Sequence, residues 1–439
     1  MKLRIGCSAL AVVVLGLDVA RADVWTVNWA GGAHFTDIQP AIQAAADGDV
    51  IVVAPGDYGA IQVIDKDLRI LGAGAQRPRT GTVSITNLAS SRVVVLAGLD
   101  IRAPLPAGPP WEALSILNCA GPVRVQGCDA LGADGTGVGV GPKSGARIAM
   151  SGDVIFSECS LLGGNGSGGA LPNAPWYGWS QSGARGVMVE GSAVALYGAL
   201  VKAGISGTQT FWSCNCGCAA GSDGAPGAQV DGSLFVAAGS SAYGGRGGSY
   251  FLSSNVCSGG CFLEFTGRGG DGLYFVGAPS TGAFVGADFA GGPAGIDNCS
   301  NVFTGPSGRT YRNHAPGSSV ARYGTLAPTM ELPSLLQGAT AAQASFFGQP
   351  GDLVYLAFDA ATSFNLALTH RGVWHLTSPL IPPPSPVGTL GPNGQLAASV
   401  SFPPLPAGAP NVTWFVQPIF VNTLGAQTLG TPWSTTLVP

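Results

Sequence analysis

Aromatic side chains are concentrated in segments that are otherwise rich in glycine. The densest cluster is Pro175-Trp176-Tyr177-Gly178-Trp179, and Phe211-Trp212 and Tyr250-Phe251 follow it along the chain. Flat rings on a surface of low charge suit the apolar faces of sugar rings. The pattern predicts carbohydrate binding by Trp176, Tyr177, Trp179, Phe211 and Trp212. The alternative is that these rings pack the glycine-rich segments onto the rest of the protein, because buried rings contribute much of a loop's packing.

Nine of the ten cysteines lie after residue 22, and six of them fall in the same glycine-rich segments. In a secreted chain these six predict disulfides, whose pairing the sequence leaves open. A metal cluster is the alternative, but C-x-C-x-C is tighter than the usual spacing of zinc ligands. The six are Cys214, Cys216, Cys218, Cys257, Cys261 and Cys299. Cys128 and Cys159, 31 residues apart, could form a further disulfide or stack as free thiols.

Acidic and histidine residues give no clear catalytic pattern. Glycoside hydrolysis needs two carboxyl groups about 5–10 Å apart, and Asp129, Asp134, Asp153 and Glu158 could supply such a pair. No column of acids or partnered arginine accompanies them, so solvation at the surface is the favoured interpretation, and no calcium-loop pattern is present. The segment from His370 to His375 favours a strand over a metal site. The sequence therefore predicts no catalytic residue, no metal and no cofactor.

Short apolar runs recur in groups of three, and this repetition predicts the fold. The runs begin near residues 50, 61 and 68, then 83, 93 and 99, then 114, 123 and 129, and four further groups follow. Each group predicts one coil of three strands, stacked on its neighbours about 4.8 Å away. Aligning the second runs gives a column of small residues at one corner: Gly98, Cys128, Cys159, Ala199 and Gly239.

A short helix precedes these coils in the sequence. Thr36 and Gln39 form a capping-box pattern, and Ile38, Ile42 and Ala45 follow at helical spacing before the apolar run Val50 to Val53. A helix leading into a ladder of short strands resembles the right-handed parallel β-helix proteins of the pectin-lyase-like type. The resemblance covers residues 35–310 and implies the fold alone, because the Asn-Thr-Asp, Asp-Asp, Asp-His and Gly-His-Gly motifs of the enzymatic members are absent.

Extra residues enter after the third run of each coil, at 131–145, 163–183, 203–226, 244–271 and 290–310. Such insertions often form the binding face of a solenoid. From residue 326 onward, short apolar runs separated by proline- and glycine-rich turns predict a small β-sandwich. The predicted fold is all-β, with a right-handed parallel β-helix, a short N-terminal capping helix and a C-terminal sandwich. The predicted boundaries are 1–22 for a signal peptide, 23–312 for the β-helix, 313–330 for a linker and 331–439 for the sandwich.

The first 22 residues have the features of a secretory signal peptide. A basic start, an apolar run from Ile5 to Leu17 and an A-x-A site predict cleavage after Ala22. Cleavage removes three basic residues and one acidic residue, which changes the net charge from −4 to −6. Nucleic acid is therefore not an expected partner, and no later apolar stretch predicts a membrane span.

These observations predict a protein that is secreted or held at the cell surface. The leading hypothesis is a non-catalytic β-helix, structural or carbohydrate-binding, with an extracellular polysaccharide as its partner. The alternative hypothesis is a polysaccharide lyase or glycoside hydrolase that acts on an extracellular polysaccharide.

Overall fold

The computed structural model is almost entirely β-structure. It describes residues 22–104, 112–136, 140–171, 174–211, 221–252, 266–295, 306–323, 327–367, 371–377, 386–405 and 408–439. Three long parallel sheets contain most of the strands described up to residue 323. Strands are numbered along the chain.

Sheet A contains β1 (Val24–Val27), β2 (Asp49–Val53), β4 (Leu68–Gly72), β7 (Val94–Ala97), β10 (Val123–Gln126), β13 (Val154–Ser157), β18 (Ala193–Tyr197), β22 (Leu234–Ala238), β26 (Thr281–Val285) and β29 (Ser319–Tyr323). Sheet B contains β5 (Arg79–Thr80), β8 (Asp100–Arg102), β11 (Asp129–Leu131), β14 (Ser160–Leu162), β19 (Leu200–Lys202), β23 (Ser241–Tyr243) and β27 (Asp288–Ala290). Sheet C contains β3 (Ile61–Ile64), β6 (Val83–Thr86), β9 (Leu114–Leu117), β12 (Ala146–Ala149), β17 (Val187–Glu190), β21 (Ala228–Asp231), β25 (Leu273–Phe275) and β28 (Tyr311–Asn313).

From β6 onward, each pass of the chain contributes one strand to sheet C, then one to sheet A and one to sheet B. Successive strands of a sheet are therefore one coil apart, an arrangement consistent with a parallel β-helix. The apolar side chains that point inward from all three sheets form one continuous core. The runs predicted from residue 83 onward are strands in the predicted order. The first predicted group is not a complete coil, because the runs at 50 and 68 both lie in sheet A as β2 and β4.

At two corners of the coil, one residue adopts a left-handed backbone conformation with positive φ. Between sheets A and B this position is occupied by Gly98, Gly127, Glu158, Gly198, Gly239 and Gly286. Between sheets C and A it is occupied by Asp65, Asn87, Asn118, Met150, Gly191, Gly232 and Gly277. Glycine, asparagine and aspartate tolerate positive φ, so Glu158 at φ 54° and Met150 at φ 51° are the exceptions.

The predicted column of small residues is one position out of register at both ends. Val123 pairs with Val94 and not with Val93, and Val194 pairs with Phe235. The stacked file is consequently Leu99, Cys128, Cys159, Ala199 and Ser240. Gly98 and Gly239 lie one residue earlier, at the left-handed corner. Small residues predominate at both adjacent positions, with Leu99 and Glu158 as the exceptions, which is why the sequence alignment confused the two positions.

The insertions after sheet B stack into a glycine-rich layer, defined here as residues 132–136, 140–145, 163–168, 181–186, 203–208, 221–227, 244–249, 266–272, 291–295 and 306–309. Within it, backbone hydrogen bonds between neighbouring segments recur every third residue. Examples are the amides of Gly163 and Gly166, which donate to the carbonyl oxygens of Lys202 and Ile205. Three residues per turn is the period of a polyproline-II helix, which makes no hydrogen bonds within its own segment and so leaves its backbone groups free to bond to neighbouring segments.

This layer requires glycine because the backbones of neighbouring segments approach one another closely. A Cβ on Gly270 would lie 1.9 Å from the carbonyl oxygen of Ala225, and one on Gly224 would lie 2.1 Å from that of Gly245. Neither glycine has a positive φ, so space and not backbone conformation excludes larger residues. Two short pairs of strands extend from this layer: antiparallel β15 (Gly168–Leu171) with β16 (Ala174–Ser180), and parallel β20 (Gln209–Phe211) with β24 (Tyr250–Leu252).

The one helix in the described residues is α1 (Ile38–Ala44). Its N-cap is Asp37, whose carboxylate accepts a hydrogen bond from the Ile38 amide at 2.7 Å. The capping box predicted from Thr36 is therefore wrong by one residue. Ile38, Ala41 and Ile42 are buried in the core of the coils. That the helix caps the coils stays a prediction.

The C-terminal part of the chain forms three smaller sheets. The first contains β30 (Thr329–Glu331), β32 (Ala341–Phe347) and β37 (Gln395–Ser401). The second contains β31 (Leu335–Gln337), β33 (Leu353–Asp359), β36 (Gly388–Thr389), β38 (Val412–Val421), β39 (Gln427–Leu429) and β40 (Trp433–Val438). The third pairs β34 (Thr362–Ala367) with β35 (Gly372–Leu376). The first two share a hydrophobic core. Sheet A ends with β29, within the segment predicted as a linker, and the predicted domain boundaries stay predictions.

The C-terminal strands pack against the outer face of sheet A. Outward apolar residues of sheet A share two hydrophobic clusters with C-terminal side chains such as Val373, Leu376 and Phe415. We call this interface between sheet A and the C-terminal strands the seam. It also contains polar contacts: Gln126 Nε2 donates to the carbonyl oxygen of Ser434 at 2.8 Å, and Ser157 Oγ donates to that of Pro432 at 2.8 Å. Part of the outer face of sheet A is thus covered by the C-terminal strands.

Candidate functional site

The aromatic segments lie on neighbouring strands at the outer end of the glycine-rich layer. Trp176, Tyr177 and Trp179 are on β16, and Phe211 ends β20. β20 pairs in parallel with β24, so that Gln209 is opposite Tyr250, and β16 lies beside β20. The backbone therefore brings three aromatic segments from successive coils together. Trp212 lies outside the described residues, as do the side chains of the other four.

The described cysteines are free thiols. Cys119, Cys128 and Cys159 are buried and unpaired with each other. Of the two alternatives left open for Cys128 and Cys159, the structure has stacked free thiols. The cause is the corner geometry, which directs each sulfur to main-chain oxygens: Cys159 Sγ lies 3.3 Å from the carbonyl oxygens of Val125 and Ser157. Burial raises the pKa of the Cys128 thiol to about 11. Cys214, Cys216, Cys218, Cys257, Cys261 and Cys299 lie outside the described residues.

Three of the four acids considered for catalysis have structural partners. Asp129 Oδ2 lies 2.5 Å from Arg77 Nη1, and Asp134 Oδ1 accepts a hydrogen bond from the Asn165 amide at 2.6 Å. Asp153 forms a buried pair with Arg124, at 2.6 and 2.8 Å. Each of these three carboxylates is therefore bound to an arginine or to a backbone amide.

Glu158 differs from the other acids. Its backbone is left-handed at a corner otherwise formed by glycine, and its carboxyl group lies over Gly198 of the next coil. Burial, together with the nearby carboxylate of Glu331, raises the pKa of Glu158 to about 7. A raised carboxyl pKa beside a second acid is a feature of functional sites, but here the acid lies at the seam with the C-terminal strands.

His375 is a buried part of the same seam. Its Nε2 lies 3.0 Å from the Tyr197 hydroxyl, and its amide donates to Gln417 Oε1 at 3.0 Å. Burial and the nearby Arg124 hold the pKa of His375 well below its usual value. His370 lies outside the described residues. Among the described residues, no group of three or more His, Cys, Asp or Glu side chains is arranged to hold a metal ion.

A charged cluster that the sequence did not reveal lies on the outer face of sheet C. Arg147 on β12 contacts Glu190 on β17 through Nε at 3.1 Å and Nη2 at 2.9 Å. Glu112, just before β9, accepts a hydrogen bond from Ser115 Oγ at 3.2 Å. Burial raises the pKa of Glu112, whose charge is felt by Arg147, Lys143 and Glu190, and burial lowers the pKa of Lys143. Two carboxyl groups, an arginine and a lysine thus converge from three adjacent coils.

The amino-acid pattern indicates this charged cluster only weakly. Arg147 and Glu190 are both outward positions of their strands, two residues apart in the pairing register. Glu112 precedes its strand, and no periodicity would place it beside them.

Comparisons of the sequence with protein families and curated proteins gave no match from which a function could be inferred. No protein-family profile matches the sequence, and no curated protein matches it. Among the described residues, no helix is long and apolar enough to cross a membrane.

Proposed function

We propose that this chain is a secreted, non-catalytic protein that binds an extracellular polysaccharide through the aromatic strands at the end of its glycine-rich layer. Its architecture would be a right-handed β-helix closed by α1 and followed by a C-terminal β-sandwich. The observation that carries the binding proposal is the adjacency of β16, β20 and β24, which brings aromatic segments from three coils onto one surface.

The glycine-rich layer supports this proposal by giving the aromatic strands a rigid base. Its segments are held to one another by hydrogen bonds at every third residue, and backbones approach too closely for side chains to intervene. Binding loses less conformational entropy when the contact residues are already fixed. A fixed surface of low charge would therefore suit a long neutral sugar chain.

Secretion is supported by the environment of Asp23. Its backbone nitrogen lies 2.6 Å from Oδ1 of Asp49, a carboxylate that is 2% exposed. Cleavage after Ala22 would convert this nitrogen into a charged amine beside a buried carboxylate. Mass spectrometry of the exported protein should find Asp23 as its first residue.

The binding test compares the full chain with the double variant Trp176→Ala/Trp179→Ala on a glycan array and in affinity gels that contain soluble polysaccharides. Removing two aromatic rings from the proposed contact surface should weaken binding about 10–100-fold. Leu424→Ala is the matched control, because Leu424 is a large apolar residue that is 91% exposed on the C-terminal part. Unchanged binding by the double variant would show that the aromatic strands are not the contact surface.

A second candidate function is favoured by the charged cluster on sheet C. Glycosidases use one carboxyl group that stays protonated and one that is ionised. Burial raises the pKa of Glu112 and favours its protonated form, while Glu190 forms an ion pair with Arg147, whose Nη2 lies 2.9 Å from Glu190 Oε2. In hydrolysis Glu112 would give its proton to the leaving sugar oxygen, while Glu190 would activate the water that attacks the anomeric carbon.

This candidate is tested by measuring reducing ends released from xylan, laminarin and polygalacturonate, together with the ultraviolet absorbance of any unsaturated lyase products. Glu112→Gln and Glu190→Gln should each lower the rate at least about 100-fold. Asp288→Asn is the control, since Asp288 is an exposed acid on sheet B. The absence of products from all three polysaccharides would argue against an enzyme.

A further inference from the structure

An open groove lies at the N-terminal end of the coils, far along the chain from the aromatic strands. It has a volume of about 320 Å³ and is lined by Trp29, Pro55, Gly56, Asp57 and Gln76. These residues belong to the loops that follow β1, β2 and β4, which are adjacent parallel strands of sheet A. The groove is therefore built by the ends of three neighbouring strands.

Trp29 rests on its surroundings on one side, although 60% of its surface is exposed. Its turn is stabilised by the Gly31 amide, which donates to the Asn28 carbonyl oxygen at 2.9 Å, and its own amide donates to the Tyr58 hydroxyl at 3.4 Å. The indole lies directly on Gly56, where an added Cβ would be 2.0 Å from Cδ1 of the ring. The indole is thus supported from below by main chain and leaves much of its surface open to solvent.

The polar groups around this ring are balanced in charge. Asp57 has a side chain that is 79% exposed, with Oδ1 3.4 Å from Arg79 Nη1. Gln76 is also exposed and supplies both a donor and an acceptor. A carboxylate, an amide and a guanidinium beside an open ring match the alternating hydroxyl groups and apolar face of a neutral sugar.

We propose that this groove binds a neutral saccharide unit, which stacks on Trp29 and hydrogen-bonds to Asp57 and Gln76. The inference rests on the proposed polysaccharide binding for its ligand class, but it uses a site that is independent of the aromatic strands. A second cavity of about 420 Å³ is lined by Gly72, Gly74, Gly98 and Gln337 among others. A Cβ added to Gly74 would lie 3.3 Å from Cγ of Pro55, which lines the groove, so the two cavities lie close together and a chain of several sugars could extend from the groove toward the second cavity.

The groove is tested by iodide quenching of tryptophan fluorescence in the full chain, with laminarin and xylan as neutral probes and polygalacturonate as an acidic one. The difference between the native protein and Trp29→Ala isolates the signal of Trp29. A neutral probe should protect Trp29 from iodide, and Trp29→Ala should weaken binding of that probe at least about 10-fold in affinity gels. Trp29→Phe should restore part of the affinity, because it keeps a ring on Gly56.

Two further variants separate ring orientation from folding. Gly56→Ala keeps Trp29 but displaces its ring, so it should lose as much affinity as Trp29→Ala. Asp57→Asn should weaken binding less, because it retains an acceptor oxygen. Leu424→Ala should bind as the native protein does. Circular dichroism verifies that each variant is folded.

The outcomes distinguish this site from the aromatic strands. Protection of Trp29 that persists in Trp176→Ala/Trp179→Ala, together with weaker binding of the same probe by Trp29→Ala, supports the groove, whatever happens to the aromatic strands. Normal binding by Trp29→Ala with loss in the double variant overturns the groove and leaves the proposed function standing. Protection by polygalacturonate alone overturns the neutral ligand class, and the absence of protection by all three probes overturns the groove.

Discussion

Glu158 shows how a single residue can conflict with the repeat that contains it. It occupies a corner where the stacked coils above and below have glycine, and its carboxyl group is crowded by Gly198 and by the charge of Glu331. A non-glycine residue in this backbone conformation costs about 1 kcal/mol. The residue is therefore a source of strain at the seam between sheet A and the C-terminal strands.

We predict that Glu158→Gly stabilises the protein, and more so at pH 8 than at pH 5. The folded pKa of Glu158 is about 7, above the unfolded value of 4.5. The stability that its proton confers is therefore complete below pH 4.5 and is lost as the pH rises through 7. Relief of backbone strain should add about 0.5–1 kcal/mol to the free energy of unfolding at either pH.

Met150→Gly is the matched control in urea unfolding, because Met150 has the same backbone conformation but no charge. It should stabilise equally at pH 5 and pH 8. Equal gains for both variants at both pH values would show that ionisation of Glu158 does not affect stability.

Asp49 gives a second prediction at the level of single residues. Its buried carboxylate accepts hydrogen bonds from the Asp23 nitrogen at 2.6 Å, the Trp25 indole at 2.8 Å and the Ala46 amide at 2.8 Å. If Asp23 is the first residue of the exported protein, acetylating its amine removes a charge beside this carboxylate. Acetylation should lower the free energy of unfolding by up to about 1.5–3 kcal/mol, the value of a hydrogen bond to a charged group.

The control is the same acetylation of Asp49→Asn, in which the carboxylate charge is already absent. Thermal unfolding should then show little further loss. An equal loss in both backgrounds would mean that the amine does not interact with Asp49.

At the scale of secondary structure, the strands of the coil could be predicted and their exact register could not. Alternating apolar residues such as Val123 and Val125 identify the runs, because their side chains fill the bore. The pairing register depends on which residue occupies the left-handed corner. The sequence alignment placed Gly98 and Cys128 at the same position because both residues are small. The first predicted group, which begins at residue 50, is one strand out of phase with the later groups, because the apolar pattern of a run does not indicate which sheet it joins.

The glycine-rich layer could not be predicted as ordered structure. A polyproline-II segment has no hydrogen bonds of its own, so its sequence carries only the requirement for glycine at close contacts. Gly221, Gly224 and Gly227 show that spacing of three, yet turn-rich loops have a similar composition. The partners that fix these segments come from other coils, about 40 residues away.

Substitution in this layer gives the prediction for this scale. In Gly270→Ala the new Cβ would overlap the carbonyl oxygen of Ala225, 1.9 Å away. Neighbouring backbones must then separate, and overpacking of this kind costs about 1–3 kcal/mol. Urea unfolding should show the loss. Gly152→Ala is the control, because no atom lies within 4 Å of its added Cβ and its φ is not positive; a loss equal to that of Gly270→Ala would contradict the close-packed layer.

At the scale of the whole molecule, the covered face of sheet A was beyond sequence reasoning. Arg124 and Gln126 are polar residues at outward positions of β10 and would be expected to face water. Instead both are buried, at 5% and 3% exposure, by strands that lie more than 200 residues later. Their partners, Thr362 and Ser434, are ordinary strand residues whose sequence context gives no sign of this contact.

The Arg124–Asp153 pair is central to that seam, and its disruption should detach the C-terminal strands before the coil unfolds. Both side chains are almost fully buried, and Arg124 also reaches Thr362 Oγ1 at 3.1 Å. Asp153→Asn leaves the arginine charge buried without a carboxylate, which costs about 3–5 kcal/mol. That cost falls on the seam, because it is avoided when the C-terminal strands move away and water reaches Arg124.

Limited proteolysis measures this directly. Asp153→Asn should release a C-terminal fragment faster than the native chain does, while the coil remains resistant. Asp288→Asn, an exposed acid on sheet B, should leave cleavage unchanged. Arg124→Met/Asp153→Leu removes both charges and keeps apolar contact with the C-terminal strands, so it should restore resistance, as replacement of a buried ion pair by packed apolar residues often does. Rapid cleavage of the double variant would show that the seam depends on the ion pair itself and not on the absence of an unpaired charge.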